Sequence, residues 1–354
     1  MVAFRSGRSR IEDNAEIGGR DCFGRSMAAQ VKIQREEDLK LEKMKNEIKK
    51  VVERANCTQN LEEKVFCVLS TSVFCFTAEK EVVPAELSLA RISLKQGIID
   101  VYQVFIEPGT IPKGYRSDCM ANSAATHKIP LDFNQFNGDY NNILEDILEV
   151  MLKDEAEDGL PPLYCMPKLL SQNRLIMNWL IKKSRTNLIE EDEFKFHSLP
   201  ILLFEMTRET NKSLDSSFTT LSSVSLIKNR VPTLAIAEAQ LDRDTFMYMP
   251  GMCCDWHQEM ETIHCTKASV LGWSYILFSL VCPLYAIPMA SISHMPVGEE
   301  SSISIGDFRS SLASCGLSTI SGDNISVRSG SYVEVSSLFI QGVPKKITPC
   351  FGGL

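Results

Sequence analysis

With 354 residues, 44% of them hydrophobic and 23% charged, the chain can bury a sizeable core in one large domain or two small ones, and its composition is that of an ordinary globular protein. The formal net charge of -8 excludes wholesale coating of nucleic acid by counter-ion release, while leaving room for a local basic patch. Twelve cysteines behind a polar start (MVAFRSGRSRIEDNAE) do not fit a short secreted disulfide module, so they read as reduced thiols of the cytoplasm or nucleus, either packing residues or metal ligands.

Residues 1–27 are Gly- and Arg-rich with scattered acids, and disorder is expected there. A charged helix follows, assigned to 28–60, with Val31, Leu39, Leu41, Met44, Ile48, Val51 and Val52 as a thin apolar stripe. The β-branched and aromatic run KVFCVLSTSVFCF (64–76) predicts a strand. ELSLARISLKQGIIDVYQVFI (86–106) predicts two more, hinged at Lys95–Gln96–Gly97, and EPGTIPKGY is a Pro/Gly loop. Helical spacing places Ile143, Leu144, Ile147, Leu148, Met151 and Leu152 on one face of a helix over 143–153. PPLYC is a short strand, 171–183 a second amphipathic helix, FKFHSLPILLFEM (194–206) another strand, and 232–245 a further helical zone.

From Ala268 to Gly298 no Asp, Glu, Lys or Arg occurs, and the apolar part is long enough to cross a bilayer. Gly272, Ser274 and Ser279 dilute it, Pro283 and Pro288 interrupt it, and no basic cluster follows. A buried helix is therefore expected, with a membrane-anchored adaptor as the competing reading. Beyond it the chain turns Ser/Gly-rich, so 61–295 is taken as the folded domain and 296–354 as a disordered tail. Three strands followed by alternating helices and strands predict an α/β domain with a mixed sheet, as ribonuclease H-like nucleases begin. Their 3′–5′ exonucleases need acids on the first strand, typically D-x-E, to hold two metal ions against a phosphate. VFCVLSTSVF has none, so that machinery cannot be built from this strand.

The densest chemistry is CCDWHQEMETIHC (253–265). Cys254 and His257 form a C-x2-H pair that one turn can aim at a single point, and Cys265 follows about two helical turns later. Three soft ligands suit a tetrahedral zinc, with a fourth to come from elsewhere. Cys253 can replace Cys254, since C-x3-H also bridges one turn, and His264 is a further candidate. His127 reads as a loop histidine that orients a turn, Trp256 and Trp273 as core residues, and Cys57, Cys67, Cys75, Cys119, Cys165 and Cys282 as packing thiols.

GRDCFG, the charged helix, VPAELSLARISLKQGIIDVY (83–102), the EPGTIPKGY loop with THKIP after it, and CDWHQEMETIHC (254–265) together resemble the Maelstrom family over roughly residues 19–290. The resemblance implies a ribonuclease H-like domain holding one structural zinc through one glutamate, two cysteines and one histidine. By motif these fall on Glu86, Cys254, His257 and Cys265. Family members usually carry an N-terminal HMG box, for which the stretch ahead of Gly19 is too short, so DNA binding does not carry over.

The function so implied is that of a germline factor of the piRNA pathway, in transposon silencing and piRNA processing, located in perinuclear germ granules of the cytoplasm and in the nucleus. Its expected partners are single-stranded RNA and piRNA-pathway proteins. The family has also been associated with cleavage of single-stranded RNA, which leaves an endoribonuclease as the alternative, although the sequence assigns it no catalytic residue. Candidate phosphate contacts are Lys113, Arg116, Lys128, Arg174, Lys182, Lys183 and Arg185, together with Lys64 and Arg91.

Overall fold

The computed structural model describes residues 19 and 26–296, apart from 59, 154–158, 186–187, 217–229, 244 and 247. The chain divides into two compact units, Met1–Asp307 and Phe308–Leu354, and the second lies outside the described residues, as does nearly all of the two segments expected to be disordered.

Helix α1 (Met27–Cys57) starts where the Ser26 side chain accepts the Ala29 N–H. Its stripe divides in two: Ile48, Val52 and Ala55 are buried, whereas Leu39 is 70% exposed. Strands β1 (Phe66–Phe76), β2 (Val82–Ser93) and β3 (Gly97–Phe105) form the expected meander. At the hinge between β2 and β3, Gly97 has φ +76°, and a Cβ there would stand 2.3 Å from the Ser293 carbonyl oxygen, so only glycine fits.

Helices α2 (Arg116–Ala125) and α3 (Tyr140–Leu152) follow, then β4 (Leu163–Cys165), α4 (Leu170–Ser184), β5 (Phe196–Ser198), α5 (Leu199–Ser216), α6 (Leu234–Leu241), α7 (Asp255–Glu259) and α8 (Thr266–Val281). The five-stranded sheet has the order β3-β2-β1-β4-β5. β1, β2 and β3 pair antiparallel, while β4 lies parallel to β1 and β5 parallel to β4. This is the mixed α/β arrangement that the order of predicted elements implied. Helix α4 supplies the crossover that the parallel pair β4–β5 requires.

Both faces of the sheet are covered, which is why its strands read as near-continuous apolar runs rather than alternating ones. Phe66, Val68, Ala90 and Ile92 turn to the face packed by α1, α5 and α8. Leu69, Leu87 and Leu89 turn to the other, against Ile143, Leu144 and Ile147 of α3 and Ile176 and Leu180 of α4.

Residues 194–206 correct the sequence expectation. Only Phe196–Ser198 is strand, and the run then becomes α5. Ile201, Leu202, Leu203 and Met206 are all buried, so the helix shows no polar stripe in a short window and reads as an apolar strand. Pro200, in the first turn where no helical N–H partner is needed, marks the start. The uncharged stretch is helical only to Val281, followed by a 3-10 turn over Cys282–Tyr285. Thr266–Tyr285 is long and apolar enough to cross a membrane, yet 72% of its most apolar 18-residue window is buried inside the protein.

Candidate metal centre and the cleft beside it

Glu86 sits on β2 on the same face as Ser88 and Ala90, the face that α8 covers. Cys254 is the N-cap residue of α7, His257 lies within that helix, and Cys265 is the N-cap residue of α8. Packing α8 against β2 therefore brings residues from three separate segments together. The four side chains are all buried, and their ligand atoms lie within 4.8 Å of one another. Cys254 Sγ is 3.0 Å from His257 Nδ1, which is 3.7 Å from Glu86 Oε1. Edges of roughly 3.3–3.8 Å are what a tetrahedral ion with S, N and O ligands sets, so the group needs little movement to close on one.

The electrostatics fit the same occupant. Burial pushes the Glu86 carboxyl up to about 7, against the opposing pull of the Thr266 N–H and the Gln103 amide. Those groups reach it at 3.2 Å and 2.5 Å respectively. Contact with Cys265 and burial push the Cys254 thiol up to about 12, and contact with Cys253 comes first in holding Cys265 there. A cation removes this strain by favouring the carboxylate and both thiolates at once. Gln103 and Thr266 orient the carboxylate as outer partners of metal ligands do, and neither carries a sequence signal that could have found it. His257 Nε2, by contrast, is buried without a hydrogen-bond partner.

The sequence alternatives fall elsewhere. Cys253 is half-buried, touching the Thr262 carbonyl at 3.8 Å, and stands outside the group of four, as does His264. His127 orients its turn by accepting the Ile129 N–H at Nδ1, 3.1 Å away, and burial lowers its pKa to about 4. Trp256 packs against Phe133 with ring centroids 4.6 Å apart. Cys75 and Cys119 are buried with sulfurs 3.1 Å apart, while Cys57 is exposed.

The basic candidates are not gathered in one place in the fold. Arg174, Lys182 and Lys183 lie on α4 and Arg185 at its C-cap, whereas Lys113, Arg116 and Lys128 flank or begin α2. All seven are exposed, and some are already engaged: Lys128 with the Met260 carbonyl at 2.6 Å, Lys182 with Glu191 at 3.1 Å, and Lys183 over the Trp179 ring at 5.5 Å. Arg91 is buried and donates to the Lys153 carbonyl, which removes it from any surface set.

Beside the metal group lies a cleft of about 500 Å³. Ser70, Thr71 and Ser72 of β1 line it, and Cys265 and Thr266 border both sites. Ser72 is the cross-strand neighbour of Glu86, and the β1–β2 register slips just beyond it, between Ser72 and Cys75.

Comparison with known proteins places the chain in a family. The Maelstrom family, described as a piRNA pathway germ-plasm component, matches residues 76–301. Protein maelstrom 1 of Drosophila pseudoobscura pseudoobscura is 32% identical over 292 residues, covering 79% of this chain and 74% of the relative. This chain belongs to the Maelstrom family. Protein maelstrom 2 of the same species is 31% identical, covering 88% of this chain and 83% of the relative. A family member from Culex quinquefasciatus is 25% identical and is covered over 48% of its length. Among solved structures, a full-length 3′-exonuclease is similar at a TM-score of 0.30 and 12% identity, covering 68% of this chain and 93% of that one. Likeness this weak fixes neither substrate nor chemistry.

Proposed function

We propose that this protein is a germline factor of the piRNA pathway, serving transposon silencing and piRNA processing by binding single-stranded RNA and piRNA-pathway proteins. Its place is in perinuclear germ granules and the nucleus, as for the family. The observation that carries the reading is the pairing of a closed, buried Glu86–Cys254–His257–Cys265 group with a first strand free of acids. The ion is zinc, because two sulfurs, one nitrogen and one oxygen suit it, and a full set of protein ligands leaves no open position for water. Bound there, zinc joins β2 to the starts of α7 and α8 and does no chemistry.

Among the described residues lining the cleft the only acid is Asp242, which is paired with Lys168 at 2.5 Å, so two-metal hydrolysis has no ligands there. A nuclease body without its acids keeps its groove and serves for binding. The burial of α8 in the core disfavours the membrane-anchored reading.

The test is metal analysis of the purified protein beside His257→Ala, with single-stranded RNA binding and cleavage followed on the same samples. One zinc per chain, lost in the variant, and RNA binding without magnesium-dependent 3′–5′ digestion are expected. Robust digestion of that kind by pure protein would overturn the reading.

A further inference from the structure

The cleft beside the metal group is more specific than a leftover groove. Its floor is neutral and hydrogen-bonding: Ser70 and Ser72 stand at the same i, i+2 spacing on β1 that a D-x-E pair would use. Ser72 Oγ is buried beside it without a hydrogen-bond partner, and an unpaired buried polar group costs free energy until something satisfies it. Phe246 and Trp273 line the walls with aromatic surface. At the rim stands Lys168, in the 3-10 turn Pro167–Leu169 that leads into α4, its ammonium exposed and paired with Asp242 across the same rim. That surface pair is weak enough for the ammonium to turn to a phosphate that arrives beside it. A base-sized aromatic wall, edge donors and acceptors, and a cationic rim are the three elements of a nucleotide site.

We infer that this cleft takes one unstacked nucleotide of single-stranded RNA, its base against Trp273 or Phe246, its sugar and base edges on the Ser70–Ser72 floor, and its phosphate at Lys168. No divalent ion takes part, since serines occupy the place of the acids. The inference rests on the RNA-binding reading above and names the contact surface within it. It puts the decisive contacts in the cleft rather than on the basic residues of α4's far end.

The experiment uses the full chain and a short oligouridine carrying 4-thiouridine, in magnesium-free buffer. Affinity is read by fluorescence anisotropy and contacts by photocross-linking with peptide mapping. Cross-links are expected in peptides holding Phe246 or Trp273. Trp273→Leu and the exposed-site variant Lys168→Glu are each expected to weaken binding about tenfold or more, the scale of one lost stacked base or phosphate contact. Cross-link mapping needs no variant, so it decides the matter even if Trp273→Leu fails to fold. Wild-type binding with cross-links confined to Lys182, Lys183 or Arg185 peptides, and an undiminished Lys168→Glu, would overturn the cleft while leaving RNA binding standing. Absence of binding by the wild-type protein would overturn both.

Discussion

The metal group and the cleft share Cys265 and Thr266, yet they are built on opposite plans. In the first, every ligand atom turns inward on a single buried point, and neighbouring groups such as Gln103 are committed to holding it. In the second, hydroxyl-bearing and aromatic residues line an open space, and Ser72 Oγ stays unpaired. A closed set of four ligands spends its chemistry on holding the fold, while an open set leaves its chemistry free for something that arrives. The rule that follows is testable: substitutions in the metal group register in stability, and those on the exposed rim of the cleft register only in binding.

The largest expected effect is at Cys265, the N-cap residue of α8 and a member of the buried group. Cys265→Ser is expected to lose the metal and about 4 kcal/mol or more, because the binding free energy of a structural ion is also folding free energy. For a body of this size that is a fall in Tm of roughly 8–16 °C. Elemental analysis and calorimetry on the same sample check it, and a variant with its full metal content would break the ligand assignment.

The next effect is a pH dependence on the cleft side. Burial holds the His127 pKa at about 4, below its ordinary 6.5, so the fold favours the neutral ring. The stability from that preference is complete above pH 6.5 and is lost as pH falls from there to 4, to a limit of about 3 kcal/mol. His127→Asn keeps an acceptor for the Ile129 N–H and removes the titration. Urea midpoints at pH 7.5 and 5 should therefore fall less in the variant than in the wild type. An equal fall in both would mean that the ring is solvated and the cleft wall looser than described.

Cys253→Ser sharpens the boundary of the metal group. The Cys253 thiol touches Cys265 and the Thr262 carbonyl but stands outside the four. The variant is expected to keep its metal and lose about 1 kcal/mol, the scale of one weakened hydrogen bond. Metal loss as large as that of Cys254→Ser would make Cys253 the true ligand.

Legibility in the sequence follows the same division. Cys254, His257 and Cys265 could be read because soft ligands at turn spacing are rare in any chain. Glu86 could not be read from its surroundings, since one carboxylate in a strand looks solvent-facing, and only the family resemblance pointed to it. The meander was legible from its β-branched runs and its glycine turn. Helix α5 was not, because its opening residues 199–203 are all buried and show no period that separates them from a strand. The cleft went unread for a chemical reason: serines, threonine and a glutamine carry no charge or special spacing. The only signal was Ser70-x-Ser72 at the place where acids were missing, and its meaning depended on knowing which elements wall that space.

The smallest effect belongs to Lys168, and it carries the contrast furthest. Lys168 and Asp242 form an ion pair whose side chains are 63% and 56% exposed, so the attraction is screened by water and opposed by side-chain entropy. Lys168→Ala is expected to change stability by less than about 1 kcal/mol, a shift in Tm of at most roughly 2–4 °C. The metal content should not change, because nothing joins this side chain to the buried group. If the rim is built for an anion, the same silent substitution must still weaken RNA binding and flatten its salt dependence, since one phosphate contact goes. A variant that loses several kcal/mol would show instead that the rim is part of the fold, and the division between a holding site and a receiving site would fail at its most exposed residue.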